Sequence, residues 1–229
     1  MRKISLESTG YYHIYNRGVN KSPIFYDDDD YLRFLHGIYY FNDSNFIPEY
    51  FPYQTRYQGL ALDLKKVRNE MVEILAWCFM PNHYHFILSQ KTDKGISKFM
   101  HRLGTGYTMY LNRKYEGSGH VFQGTFKAKL IDDNEYLQHL TRYIHLNPMD
   151  MHDKEWKEYG AKNLESSKEF LLKYKWSSLP DYLDTENRFK ITSSSFKNFV
   201  FTKNSVEYSD FLWEWLKNGL PSNFSVIQG

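Results

Sequence analysis

Apolar and polar positions alternate along some stretches of the chain and recur at helical spacing along others, and the two periods divide it into elements. Tyr11 to Asn16 reads as a first strand, stopped by Arg17-Gly18. A run of acids, Asp27 to Asp30, stands directly before the helical string "YLRFLHGIYYF". Acids at a helix start satisfy free N–H groups and complement the dipole. From Asn42 to about Arg68 the chain is aromatic and irregular, which predicts an extended loop or insertion. Val72 to Met80 and His83 to Ser89 are strand-like, and the turn residues Pro81-Asn82 join them as a hairpin. Ile96 to Tyr115 has helical spacing, with Gly104 and Gly106 predicting a kink or a break into two helices. His120 to Ile131 alternates as a last strand. Asp132 and Glu135 are spaced like a capping box for a further helix, which ends before Asn147-Pro148 because proline disfavours a helical residue ahead of it.

The order strand, helix, strand, strand, helix, strand, helix predicts an α+β fold. The expectation is an antiparallel sheet with helices packed on one face, in a ferredoxin-like, split βαβ arrangement. Residues 1–150 hold that domain, with an insertion at about 42–70. Past Met149 the chain is more polar and weakly patterned, so residues 151–229 read as a mostly helical C-terminal extension. Its clearest signal is the stripe of Tyr208, Leu212, Trp215 and Leu216, stopped by Gly219-Leu220-Pro221.

Composition narrows the class. The 229 residues are 41% hydrophobic and rich in aromatics (20 Tyr, 17 Phe, 5 Trp), which supports a packed core and argues against global disorder. The single cysteine, Cys78, excludes an internal disulfide framework and a cysteine-based zinc cluster. The first residues lack a signal-like apolar core, and nowhere is there an apolar run of the roughly eighteen residues a membrane helix needs. The expectation is a cytoplasmic protein without a membrane partner. Net charge is only +2, yet Lys91 to Leu130 holds eight basic residues against two acids. That local excess suits a polyanion, although such runs also serve as solvated faces.

Two groups of residues carry candidate chemistry. In His83-Tyr84-His85 the imidazoles share one strand face, roughly 7 Å apart. They can converge on a cation or simply be hydrogen-bonded, half-buried strand residues; alternation leaves both open. In "NEYLQHLTRYIHLNP" the residues Tyr136, Tyr143 and Asn147 run along one edge of the Leu137, Leu140, Ile144 stripe. Tyr143 and Asn147 are i,i+4 neighbours and can meet one object together. A tyrosine beside a cation can be a nucleophile, and a rim tyrosine of a core fits the same spacing.

Taken together, "YYHIYNRGVNKSPIFYDDDDYLRFL", "MPNHYHFIL", "GHVFQGTFKAKLID", "YLQHLTRYIHLNP" and "YKWSS" resemble the single-tyrosine HUH transposases of insertion sequences, most closely the REP-associated tyrosine transposases. The resemblance covers Tyr11 to Tyr182; the 42–68 stretch and the chain after Asp184 have no firm counterpart. It implies that His83 and His85 bind a divalent ion such as Mg²⁺ or Mn²⁺, that Tyr143 is the nucleophile, and that Asn147 completes the metal site. Tyr84 departs mildly from the aliphatic residue usual between the histidines. The implied activity is cleavage and rejoining of single-stranded or hairpin-bearing DNA through a covalent 5′-phosphotyrosine. Unpaired bases would stack on aromatics, and Lys127 and Lys129, then Arg113 and Lys114, would contact the DNA backbone. His120, Gln123 and Arg17 fit either a site or a structural role. The resemblance admits a homodimer. The rival reading is a non-catalytic binder of single-stranded or hairpin DNA derived from a transposase; a metal hydrolase would need further His and Asp ligands and a larger barrel, for which the chain is short and shows no strand series.

Overall fold

The computed structural model describes residues 6, 10–47, 68–184, 189, 191–193, 205–221 and 224. Within them β1 (Tyr11–Arg17), β2 (Val72–Met80), β3 (His83–Gln90) and β4 (Lys127–Ile131) form a four-stranded sheet in the order β2-β3-β1-β4. All three pairings are antiparallel. Two helices, α1 (Asp28–Phe41) and α2 (Gly95–Lys114), connect β1 to β2 and β3 to β4 and pack on one face, as the element order predicts.

β2 is apolar at almost every position, and a strand of that kind needs cover on both faces. A bulge between Ile74 and Ala76 shifts the alternation, so that Leu75 and Ala76 both point away from α1 and α2. The second face is covered by α3 (Asn134–Leu146), so helices lie on both sides of the sheet. The extension adds α4 (Met149–His152), α5 (Trp156–Tyr159), α6 (Leu164–Lys173), α7 (Leu179–Tyr182) and α8 (Ser205–Asn218) to that side. Its Trp156, Leu171, Tyr208, Leu212, Trp215 and Leu216 are buried in one cluster with Leu140 and Ile144 of α3 and Ile87 of β3. The chain after α6 also closes the free edge of β2, with Phe79 N donating to Trp176 O at 2.9 Å and Ser178 N to Trp77 O at 2.9 Å.

Three local expectations change. α2 is one unbroken helix. Gly106 is there for packing, since a Cβ would sit 2.7 Å from the Phe41 ring of α1. The last strand begins only at Lys127, because the residues before it loop away with Gly124 at φ 158°. The cap of α3 is Asp133, whose carboxylate accepts from Tyr136 N at 2.7 Å, one residue later than the spacing predicts. The acidic run does cap α1: Asp27 and Asp30 form the reciprocal capping box.

The end of α1 is tied to the start of β2. Asn42 Oδ1 accepts from Val72 N at 2.9 Å and its Nδ2 donates to Val72 O at 2.9 Å. Residues 48–67 of the predicted insertion lie outside the described residues. No helix among the described residues is long and apolar enough to cross a membrane.

Candidate active site

Strand register assembles the first half of the site. Arg17 faces His83 and Tyr15 faces His85 across β1 and β3, while Lys127 faces Tyr15 from β4. Alternation puts all of these on the α3 side of the sheet. Helical spacing supplies the second half, because Tyr143 and Asn147 stand one turn apart at the end of α3. Tyr15, Arg17, His83, His85, Tyr143, Asn147, Asp150 and Lys157 line one small cleft. His85, Tyr143 and Asn147 are almost wholly buried, and His83 is half-buried at the mouth.

The rings are oriented by their neighbours. His83 Nδ1 lies 2.6 Å from Asn82 Oδ1, and Asn82 Nδ2 donates to Lys21 O at 3.0 Å. The second bond fixes which end of the amide faces the ring, so Nδ1 carries the proton and Nε2 presents a lone pair. That lone pair faces Asn147 Oδ1 at 3.2 Å. Two acceptors so placed repel unless a cation or proton joins them, and Asn147 Nδ2 has no hydrogen-bond partner among the described residues. His85 Nδ1 lies 2.9 Å from Nε2 of His13, a fully buried ring on β1. Hydrogen bonds of this kind orient imidazoles that ligate metals.

Electrostatics keeps the imidazoles neutral. Burial pushes His83 down to about 4, opposed by its contact with Asn147. Burial takes His85 well below its ordinary value, and the charges of His13, His83, Lys157 and Arg17 add to the effect. A neutral imidazole is the form that binds metal. Burial raises the Tyr143 phenol, and the charge of Lys157 acts in the opposite direction. Among the described residues no group of three or more His, Cys, Asp or Glu is arranged to hold a metal ion. The donors that spacing singles out are two imidazoles and one amide oxygen, and the Asp150 carboxylate lines the same cleft.

The basic residues divide between the faces. Lys127 is exposed with its Nζ 5.7 Å from the Tyr15 ring centroid, and Lys129 Nζ is 3.2 Å from the Tyr136 hydroxyl. Both lie on the α3 side. Arg113 is exposed at the end of α2, on the opposite side. Lys114 differs from the expectation of a DNA-facing cation: it is engaged by Asp27 at 2.7 Å and Asp30 at 2.8 Å. His120 lines a separate cavity of about 540 Å³ between α2 and the 120–126 loop. Gln123 meets β1 through its backbone, its N donating to Arg17 O at 2.9 Å. Sequence reasoning missed His13, Tyr15, Asp150 and Lys157. The alternation of His13 and Tyr15 in "YYHIYNRG" is a usable signal once β1 is paired with β3; Asp150 and Lys157 have none.

Comparison with known proteins finds three likenesses. Residues 55–147 match the family model described as "Transposase IS200 like". The abortive phage resistance protein AbiGi of Lactococcus lactis subsp. cremoris is 25% identical over 203 residues, covering 79% of this chain and 78% of that protein. A solved REP-associated tyrosine transposase bound to a REP hairpin shares the fold, with a TM-score of 0.50 and 14% identity over 85% of this chain and 90% of its own.

Proposed function

We propose, from the match of residues 55–147 to the IS200-like transposase family model, that this protein is a metal-dependent enzyme that cleaves and rejoins single-stranded or hairpin-bearing DNA. One observation carries the reading: Tyr143 and Asn147 of α3 meet His83 and His85 of β3 in a single cleft. The lone pair of His83, the ring of His85 and the amide oxygen of Asn147 would hold a divalent ion, Mg²⁺ or Mn²⁺. Such an ion, when bound, supplies charge stabilisation at the non-bridging oxygens of the scissile phosphate. Imidazole donors suit Mn²⁺ better than Mg²⁺, which prefers oxygen.

Tyr143 attacks phosphorus in line. Its phenolic oxygen bonds to phosphorus as the P–O3′ bond breaks, which leaves a 5′-phosphotyrosine on the protein and a free 3′-OH on the DNA. The ester conserves the energy of the broken bond, so a new 3′-OH can reverse the step without ATP. His83 and His85 stay neutral throughout and move no proton. Lys127 and Lys129 border the cleft from β4 and would contact DNA phosphates. The fold shared with a hairpin-bound transposase supports a hairpin substrate.

The burial of Tyr143, at 4% exposure, favours a second reading in which the protein binds such DNA without cutting it. A covalent-adduct assay decides between them. Single-stranded hairpin oligonucleotides from the flanks of the gene are incubated with Mn²⁺ or Mg²⁺, and products are run on denaturing protein gels beside Tyr143→Phe. A metal-dependent protein–DNA band that the variant loses is the expected result. Tight hairpin binding without a band in the wild type selects the non-catalytic reading.

A further inference from the structure

We propose that Lys157, supplied by the extension and held by Asp150, is a positioning residue that fixes the Tyr143 hydroxyl for attack. The family match ends at Asn147, so this cation lies outside the matched segment. The inference rests on the nucleophilic role of Tyr143 given above.

The geometry is specific. Asp150 lies in α4, a few residues after α3, and both its oxygens are engaged. Its Oδ1 accepts from Trp156 Nε1 at 2.8 Å and its Oδ2 from Lys157 Nζ at 2.7 Å. Trp156 is fully buried, so the carboxylate is anchored to the core rather than free to ligate an ion. The main chain at Lys157 is pinned as well, its carbonyl accepting from Leu220 N at 2.8 Å. The ammonium is thereby held 5.4 Å from the centroid of the Tyr143 ring and lines the same cleft. An ammonium has three donors, and Asp150 Oδ2 takes one.

A fixed cation beside the Tyr143 ring serves the attack in two ways. It orients the hydroxyl, and it offsets the negative charge gathered where a phenolic oxygen meets a phosphodiester. The proposed role of Lys157 is placement, and it transfers no proton in the step. The phenol loses its proton to solvent as the O–P bond forms, and the departing O3′ gains one from solvent as the P–O3′ bond breaks. Solvated lysines gain little from such placement; this one is three-quarters buried, with a side-chain exposure of 24%.

The test is single-turnover adduct formation by the full chain, using fluorescein-labelled hairpin oligonucleotides from the gene's flanks with Mn²⁺. Lys157→Met is expected to slow the reaction about 10²-fold at saturating hairpin while hairpin affinity stays within about threefold. Lys157→Arg, which keeps the charge, is expected to recover most of the rate. A Lys157→Met rate within about threefold of wild type, or a loss fully explained by weaker hairpin binding, overturns the inference. Should Lys157→Met fail to fold by circular dichroism, Asp150→Asn decides, because it keeps the lysine and releases it. Slower reaction with unchanged affinity is expected there, and an unchanged rate overturns the proposal. Absence of any wild-type adduct overturns the nucleophilic role of Tyr143 itself, whereas a wild-type adduct matched by both variants overturns only the role of Lys157.

Discussion

Asn82 and His83 are neighbours in the chain and partners in space: the amide oxygen of one sits 2.6 Å from Nδ1 of the other, across the turn that joins β2 to β3. The same amide is tied at its nitrogen to Lys21 O, so a residue placed in the turn by its backbone preferences also sets the tautomer of the half-buried imidazole. Asn82→Ala removes the orienting group without touching a proposed ligand. Outer partners of this kind are worth about 10–100-fold in metal affinity. The expected result is Mn²⁺ binding weakened by about that factor in calorimetric titration, with an unchanged far-ultraviolet spectrum. Equal affinity in the variant would show that the ring does not depend on Asn82.

The basic residues separate by face, and their contributions to DNA binding should separate with them. Lys127 is exposed beside the cleft, while Arg113 is exposed at the far end of α2. A lysine that neutralises one phosphate releases one counterion, so its removal lowers the salt slope of binding by about 1. Lys127→Ala is expected to weaken hairpin binding and reduce that slope, and Arg113→Ala to do neither. Fluorescence anisotropy across a salt series measures both, and an Arg113→Ala effect equal to that of Lys127→Ala would place DNA on the other face.

Lys114 should report on stability instead. Asp30 is fully buried and accepts from the Tyr26 amide at 2.8 Å, the Tyr110 hydroxyl at 3.0 Å, the Tyr115 hydroxyl at 2.9 Å and Lys114 at 2.8 Å. Lys114→Ala leaves that carboxylate buried without its counter-charge, a defect of about 3–5 kcal/mol where a buried pair is broken. The Lys114 side chain is 16% exposed, so the expected loss is at the lower end, about 3 kcal/mol in urea denaturation. A loss below about 1 kcal/mol, typical of surface pairs, would mean that the tyrosine hydroxyls alone satisfy Asp30.

The contrast between these lysines explains what was legible in the sequence. Periodicity fixes local relations, so the i,i+2 histidines of β3 and the i,i+4 pair Tyr143 and Asn147 stand on the faces that spacing predicts. The element order gives the sheet with α1 and α2 on one side. Relations between distant segments leave no such trace. Lys114 meets Asp30 across 84 residues, and His13 meets His85 across 72. Gly106 reads as a break in isolation and is an accommodation to Phe41 in the fold. The expectation of helices on one face left the second face uncovered, and the near-continuous apolar run of β2 does not say which helices cover it.

Buried histidines should make the protein acid-sensitive. Burial lowers His13 and His145 to about 3 and His36 and His83 to about 4, so each is neutral in the native state at pH 6. In the unfolded chain they titrate near the ordinary value of about 6.5. Between that value and the native one the unfolded state binds more protons, and stability therefore falls as pH falls. Above about pH 7 these groups contribute no slope. Each can remove up to about 1.4 kcal/mol per pH unit within the window. His145 is the most informative of them, because it bridges α3 to α8 through Tyr208 and contacts Ser178 Oγ at 2.8 Å. Urea midpoints are expected to be level from pH 8 to 7 and to drop steeply from pH 6.5 to 4.5. His145→Gln should be less stable throughout but lose up to one proton from the slope. A midpoint that stays level down to pH 5 would contradict the burial of these rings as neutral imidazoles.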